Sequence, residues 1–446
     1  MERHMAKSRL KNTATVTLLT VITPLVCCST VALAYAEPCL SPLARYQESH
    51  KVTALRRDGN DLLVGTQNGL YRLADNELLP IGVDQQAGEI STFYKDGNDL
   101  LVGSFTGLYR RDGDQLIPIG KQQNIRYVGS FYRDGNDLLI GTSYGLYRRA
   151  GDTLVLIGER LQVRLVYPDE FYHVVLDDID LDRNQSPVFR FYKHGNDLLV
   201  GSFIGLFRRA GDTLVQIGRN AKTGYVRRFY KDGDELLIGA YNGLFKRNGD
   251  DLIPIDNRRV PGYIRAIYKD GDDLLIGTEN GVFRREGDAL IPIGQAQKSG
   301  YVRGFHKHGK DLLIRADTGL YRRAGDTLIP IGKDEQTGWI EEFYPDGNEL
   351  LLRAKNGLYR RDGDTLIAVG KKQTPGWIST FYKHGDALLI GAANGLYRRD
   401  GDTLRPISAE INPGYIRRIF QDEPGLLVDG INGLFAFRTT DCPIND

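Results

Sequence analysis

Arg315 and Arg353 stand in short apolar runs where most other copies of the same motif have Gly, and Glu341 and Glu342 lie between them in the chain. A carboxylate held beside a guanidinium in a cleft can act as general acid or base. On that reading Glu341 or Glu342 serves a lyase or hydrolase working on an anionic polysaccharide. The same four residues are also what two buried arginines need as ion-pair compensation. No nucleophile motif, metal-ligand spacing or phosphate loop accompanies them. His194, His308 and His384 take a turn position held by Asp elsewhere, and His306 takes a Tyr position. Asp178, Asp180 and Asp182, followed by Asn184, alternate oxygen ligands as calcium loops do. They lack the Gly and terminal Glu of such loops, and Ile179 and Leu181 suit an ordinary strand equally. No cofactor is expected.

A second chemistry is recognition by stacking. Phe105, Tyr144, Phe203 and Tyr241 sit in four successive short turns, where other copies carry Thr-Glu-Asn, Ala-Asp-Thr, Ala-Lys-Asn and Ala-Ala-Asn. Large apolar groups in adjacent turns make an exposed patch of the kind that binds partners. Tyr127, Tyr225, Tyr263, Tyr301, Trp339, Trp377 and Tyr415 open another set of strands, with Arg227, Arg265, Arg303 and Arg417 two residues after four of them. Together they suggest an aromatic and cationic collar that favours an anionic ligand. Packing of the same rings between strands is the competing expectation.

These positions recur because the chain is a repeat. The motif LLxGxxxGLYR begins at Leu62, Leu100, Leu138, Leu198, Leu236, Leu274, Leu312, Leu350, Leu388 and Leu426, every step being 38 residues except one of 60. In the unit from Tyr225 to Gly262, four β-rich runs are separated by Asp-Gly-Asp, Asn-Gly and Asn-Gly-Asp turns. Asn-Gly is a strong hairpin signal. Pro254 in the fourth run would lose a ladder bond inside a sheet, so that strand is expected at the outer edge. Four antiparallel strands per unit make one propeller blade. The predicted fold is all-β: a single β-propeller of about ten four-stranded blades. A three-plus-seven split at the long step is the alternative.

The termini bear on closure. The last unit ends after three strands, and Leu40 to Ala44 matches the fourth strand of other units, so the N-terminal strand is expected to complete the tenth blade. Cys39 and Cys442 then fall at the same turn, which predicts a disulfide across the closure. Residues 1–36 combine a basic head, an apolar stretch and Ala34-Tyr35-Ala36. They read as a signal peptide, with the propeller over 37–446 and no transmembrane segment after cleavage. The protein is therefore expected in the periplasm or secreted. The extra residues, within about 160–185, are expected to form a lid or contact loop beside the aromatic turns. A net charge of +1 over 446 residues gives no bulk signal for nucleic acid.

Asp270 to Arg284, running Asp-Gly-Asp-Asp-Leu-Leu-Ile-Gly-Thr-Glu-Asn-Gly-Val-Phe-Arg, resembles the two-component regulator propeller repeat. The resemblance covers essentially the whole chain after residue 36. It implies sensor-type domains of bacterial hybrid histidine kinases, although Leu replaces the family's Trp in every unit, and no kinase or Ig-like module is present. Similar repeats occur in streptogramin lyases, so the resemblance also leaves an enzyme open. The leading expectation is an exported, non-enzymatic propeller holding a glycan, peptide or partner protein on its aromatic face. A lyase or hydrolase at the channel mouth and an adhesion scaffold are the alternatives.

Overall fold

The computed structural model describes residues 38–45, 51–75, 77–123, 125–158, 190–202, 204–256, 261–294, 299–332, 337–407, 411–422 and 425–439. Phe203, Cys442, the segment 160–185 with its Asp178, Asp180 and Asp182, and residues 1–36 lie outside them.

Ten four-stranded antiparallel sheets follow one another along the chain, each in the order first, second, third and fourth strand. The fifth blade shows the plan: Val226–Asp232, Glu235–Ala240, Gly243–Asn248 and Asp251–Pro254. First strands of successive blades lie against one another and line the centre. Fourth strands are outermost and carry Pro80, Pro118, Pro292 and Pro330, as the missing amide of proline requires.

The tenth blade is completed from the other end of the chain. Cys39–Arg45 pairs antiparallel with Gly433–Arg438, Leu40 opposite Phe437, with one irregularity between Pro42 and Ala44. Cys39 is disulfide-bonded. The blades form one continuous ring. Leu139, Leu146 and Ile157 of the third blade pack with Leu198, Val200 and Phe207 of the fourth, across the long insertion. Leu427 and Leu434 of the tenth meet Leu62, Leu55 and Leu73 of the first.

Three repeated contacts hold blade to blade. The first is aliphatic: the Leu-Leu-Ile runs are buried on both faces, which explains why they do not alternate with polar residues. The second is aromatic: Tyr132 stacks on Phe191 of the next blade at 4.9 Å, Tyr192 on Phe229 at 5.1 Å and Tyr344 on Phe381 at 4.9 Å. His306, at the Tyr position, keeps the stack on Phe343 at 4.7 Å. The third is close approach at the second-strand glycine. A Cβ on Gly239 would stand 2.8 Å from Ile264 Cγ2 of the next blade, and one on Gly391 would stand 2.6 Å from Ile416 Cγ2. Glycine is needed there for the gap between blades, not for a turn.

Candidate functional site

The face bearing the second-to-third-strand turns and the interblade links is built from two sets of residues that the sequence kept apart. In the structure they are one surface. Within a blade the turn residue donates its amide to the carbonyl of the collar residue: Tyr241 to Tyr225 at 2.9 Å, Asp317 to Tyr301 at 3.0 Å and Lys355 to Trp339 at 3.0 Å. Tyr127 keeps the pattern, accepting from Ser143 at 3.3 Å, and adds to it. Its backbone is left-handed, with φ 46°, and its amide bonds the Phe105 carbonyl of the preceding blade.

From the fifth to the eighth blade these residues make a continuous arc. The Tyr225 and Tyr241 rings lie 6.4 and 5.8 Å from the Tyr263 ring. Arg265 lies over Tyr263 at 5.4 Å and over Tyr301 at 4.8 Å. Arg303 lies over Tyr301 at 5.7 Å and Trp339 at 5.9 Å, and Lys355 caps Trp339 at 4.4 Å. Cations and rings thus alternate, each ring's negative face meeting a positive group. Asp317 anchors Arg303 at 2.9 Å. Lys355 and Asp317 occupy turns that look ordinary in the sequence. Their roles appear once each turn is folded back beside the first strand of its own blade.

The outer part of the face is open. Phe105, Tyr144, Tyr241, Trp339 and Trp377 are all exposed, Phe105 by 53% and Trp339 by 36%. The inner part is closed. Arg227 and Arg265 are buried rather than displayed at the mouth, at 4% and 6% exposure. Arg227 donates to the Tyr263 hydroxyl at 3.4 Å, and Arg228 donates from Nε to the Arg265 carbonyl at 2.7 Å. Burial, with the charges of Arg227 and Arg190, holds the Arg228 guanidinium down to about 10. Burial likewise raises the Tyr225 and Tyr127 hydroxyls.

Arg315, Glu341, Glu342 and Arg353 do meet. Arg353 bridges both acids, Nε to Glu341 at 3.3 Å and Nη2 to Glu342 at 3.2 Å. Its cross-strand partner is Glu342 itself. Arg315 takes another solution: it lies opposite Gly304, donates to the Glu341 carbonyl and stands over Phe343 at 5.4 Å. Burial raises the Glu341 carboxyl, against the pull of Arg353 and a 3.2 Å bond from Trp339 Nε1. A raised carboxyl suits a general acid, but here both acids are spent on Arg353. Arg417 has the counterpart arrangement: it meets Asp429 at 3.4 Å, a fully buried acid in the tenth blade's glycine position. The Tyr415 carbonyl accepts from the Ile431 amide at 2.9 Å and continues the collar's backbone pattern.

Among the described residues no cluster of His, Cys, Asp or Glu is arranged to hold a metal ion, and no helix is long and apolar enough to cross a membrane.

The site belongs to a ten-bladed β-propeller. No protein-family model matches the chain, and no curated protein matches it. Among solved structures, the extracellular domain of the putative hybrid two-component system BT4673 from B. thetaiotaomicron is similar at 16% identity and a TM-score of 0.30, over 88% of this chain and 64% of that one. The corresponding domain of BT3049 from the same organism gives 17% and 0.33, over 87% and 61%. The computationally designed Ika8 protein gives 10% and 0.34, over 89% and 98%. The chain therefore spans less than two thirds of the two extracellular domains. At these values the likeness carries nothing about ligand or activity.

Proposed function

We propose that this chain is an exported, non-enzymatic binding propeller whose ligand lies on the arc from Tyr225 to Lys355. The observation that carries the reading is the unbroken alternation Tyr263, Arg265, Tyr301, Arg303, Trp339, Lys355, open to solvent at Trp339 and Tyr241. Flat rings give affinity to the faces of a sugar or of a planar side chain. The interleaved cations select an acidic ligand and steer it in. An acidic glycan meets both demands. Export is supported by the basic, apolar and Ala-Tyr-Ala pattern of residues 1–36. Binding is favoured over turnover because Arg353 engages both Glu341 and Glu342.

The test is a screen of acidic and neutral glycans against the protein, with product release followed in parallel. Acidic glycans are expected to bind without turnover, and Tyr301→Ala with Trp339→Ala to weaken them at least tenfold, about 1.4 kcal/mol. Equal binding by the double variant overturns the placement. Turnover that Glu341→Gln abolishes overturns the non-enzymatic reading.

A further inference from the structure

The chain has two tryptophans, Trp339 and Trp377, and they fill the same position of adjacent blades. Each immediately precedes the first strand of its blade, Ile340–Asp346 in the eighth and Ile378–His384 in the ninth. Each carbonyl accepts from the turn residue of its own blade, Trp339 from Lys355 at 3.0 Å and Trp377 from Ala393 at 2.8 Å. The turn approaches the link equally in both. A Cβ on Gly338 would stand 2.9 Å from Lys355 Cβ, and one on Gly376 would stand 2.9 Å from Ala393 Cβ. The two residues are displayed alike, at 36% and 40% exposure.

Their surroundings differ at the two positions that bring charge to the arc. Trp339 receives Lys355 from its own turn at 4.4 Å and Arg303 from the preceding blade at 5.9 Å. Beside Trp377 the Lys355 position is Ala393 and the Arg303 position is Glu341. Glu341 is turned to Arg353 and to Trp339 Nε1. Among the described residues no cation lies over the Trp377 ring and nothing bonds its Nε1. Lys371 and Lys372, in the link before it, are exposed and make no ring contact among the described residues. A bare indole offers its face to an apolar surface and its N–H to one acceptor. With no cation in the stack it adds nothing for a carboxylate, and Glu341 nearby disfavours one. An uncharged sugar ring, with C–H groups on its face and hydroxyls at its edge, meets both terms.

We infer that Trp377 is the platform for an uncharged sugar residue joined to the acidic residue on the arc. The ligand is then an oligosaccharide of mixed charge, not a single acidic sugar. The inference rests on the binding reading above and extends that site by one blade. Rings at this position in adjacent blades lie 6.4 Å apart at Tyr225 and Tyr263, a step that successive residues of a glycan chain can follow.

With two tryptophans in the chain, Trp339→Phe leaves Trp377 as the sole indole emitter. Its fluorescence is titrated with mixed chains (glucuronoxylan and hyaluronan oligosaccharides), with uncharged xylo- and chito-oligosaccharides, and with oligogalacturonates. At least one mixed chain is expected to shift Trp377 emission, and oligogalacturonates to leave it unchanged. In calorimetry on the unsubstituted chain, that mixed chain is expected to bind at least tenfold tighter than oligogalacturonate of equal length. Trp377→Ala should erase this preference. Ala393→Lys, which copies the turn beside Trp339, should turn it toward oligogalacturonate. Should Trp377→Ala melt lower, the milder Ala393→Lys carries the test. Trp377 emission unmoved by every chain overturns the platform, as does a preference that survives both variants. A Trp377 response to uncharged chains without binding of any acidic one keeps the platform and removes the arc reading. Binding lost in the Tyr301 and Trp339 double variant, with the preference intact in Trp377→Ala and Ala393→Lys, does the reverse.

Discussion

Arg323 of the seventh blade reaches back to Asp270 of the sixth, Nη1 to Oδ2 at 2.9 Å, while its Nη2 holds Asp273. Lys307 takes the other oxygen of Asp270 at 2.8 Å. The arrangement recurs around the face opposite the aromatic arc, with Arg111 on Asp58, Arg149 on Asp96, Arg209 on Asp134 and Arg399 on Asp346. A two-pronged fork that is half-buried gains more than an exposed ion pair, because water competes less for it. Arg323→Met keeps the packing stem and leaves Asp270 with Lys307 alone. It is expected to cost about 1–2 kcal/mol in denaturant unfolding.

The same carboxylates set the acid limit. Burial pushes Asp270 and Asp346 up, but hydrogen bonds and charge from Lys307 with Arg323, and from Lys383 with Arg399, more than offset it, holding both below the ordinary 3.8. Asp212 and Asp402 are lowered first by hydrogen bonds from Arg148 and Arg360. Folded values below unfolded ones give stability that is complete above the unfolded value and is lost as pH falls through the folded one. Unfolding free energy from these groups is expected to be flat above about pH 5 and to fall steeply below pH 4. The slope should be shallower in Arg323→Met.

The seam at the tenth blade breaks the ladder. Phe437 stands where the second to ninth blades have the fork-bearing Arg, and the positions it would reach are His384 and Ala387 instead of two acids. Phe437 meets His384 edge-on at 5.5 Å and is buried against the closing strand. Phe437→Arg alone is expected to destabilise by about 3–5 kcal/mol, through lost burial and an uncompensated charge. Adding His384→Asp and Ala387→Asp should restore part of that. The triple variant melting no higher than the single would refute the replacement of a charge pair by an aromatic one.

Binding effects should be graded around the face. The arc from Tyr263 to Lys355 carries cations on its rings, whereas Phe105 and Tyr144 lie in earlier blades. Phe105→Ala with Tyr144→Ala is expected to weaken acidic-glycan binding about threefold, less than the arc variant, with melting unchanged within about 1 kcal/mol because both rings are exposed. Isothermal titration of the two double variants side by side makes the comparison.

Closure of the ring should depend on Cys39. It opens the strand that completes the tenth blade, and Cys442 is its expected partner. Cys39→Ser is expected to cost about 2–5 kcal/mol, since the bridge would remove a very long loop from the unfolded ensemble. Peptide mapping under non-reducing conditions should recover Cys39 joined to Cys442. A separate Cys442 peptide would refute the pairing.

The architecture could be read in the chain alone because each blade is a local object. Asp-Gly and Asn-Gly turns, spaced runs such as Leu236 to Gly239, and Pro254 in the last run define four strands within one unit. The match of Leu40–Ala44 to the missing fourth strand determined the closure without coordinates. The grouping of Glu341, Glu342 and Arg353 was also legible, since all three lie in one unit. What the tertiary structure decided lies between blades. Equivalent residues of neighbouring units are dozens of positions apart in sequence, and only blade packing sets whether their side chains stack, pair or bury. It sent Arg227 and Arg265 inward and set Gly239, opposite Arg228, so close to Ile264 of the next blade that an added Cβ would stand 2.8 Å from it. The sequence repeats the scaffold because every blade needs the same neighbour contacts. The site is written in the departures from that repeat, whose meaning depends on the blade next door.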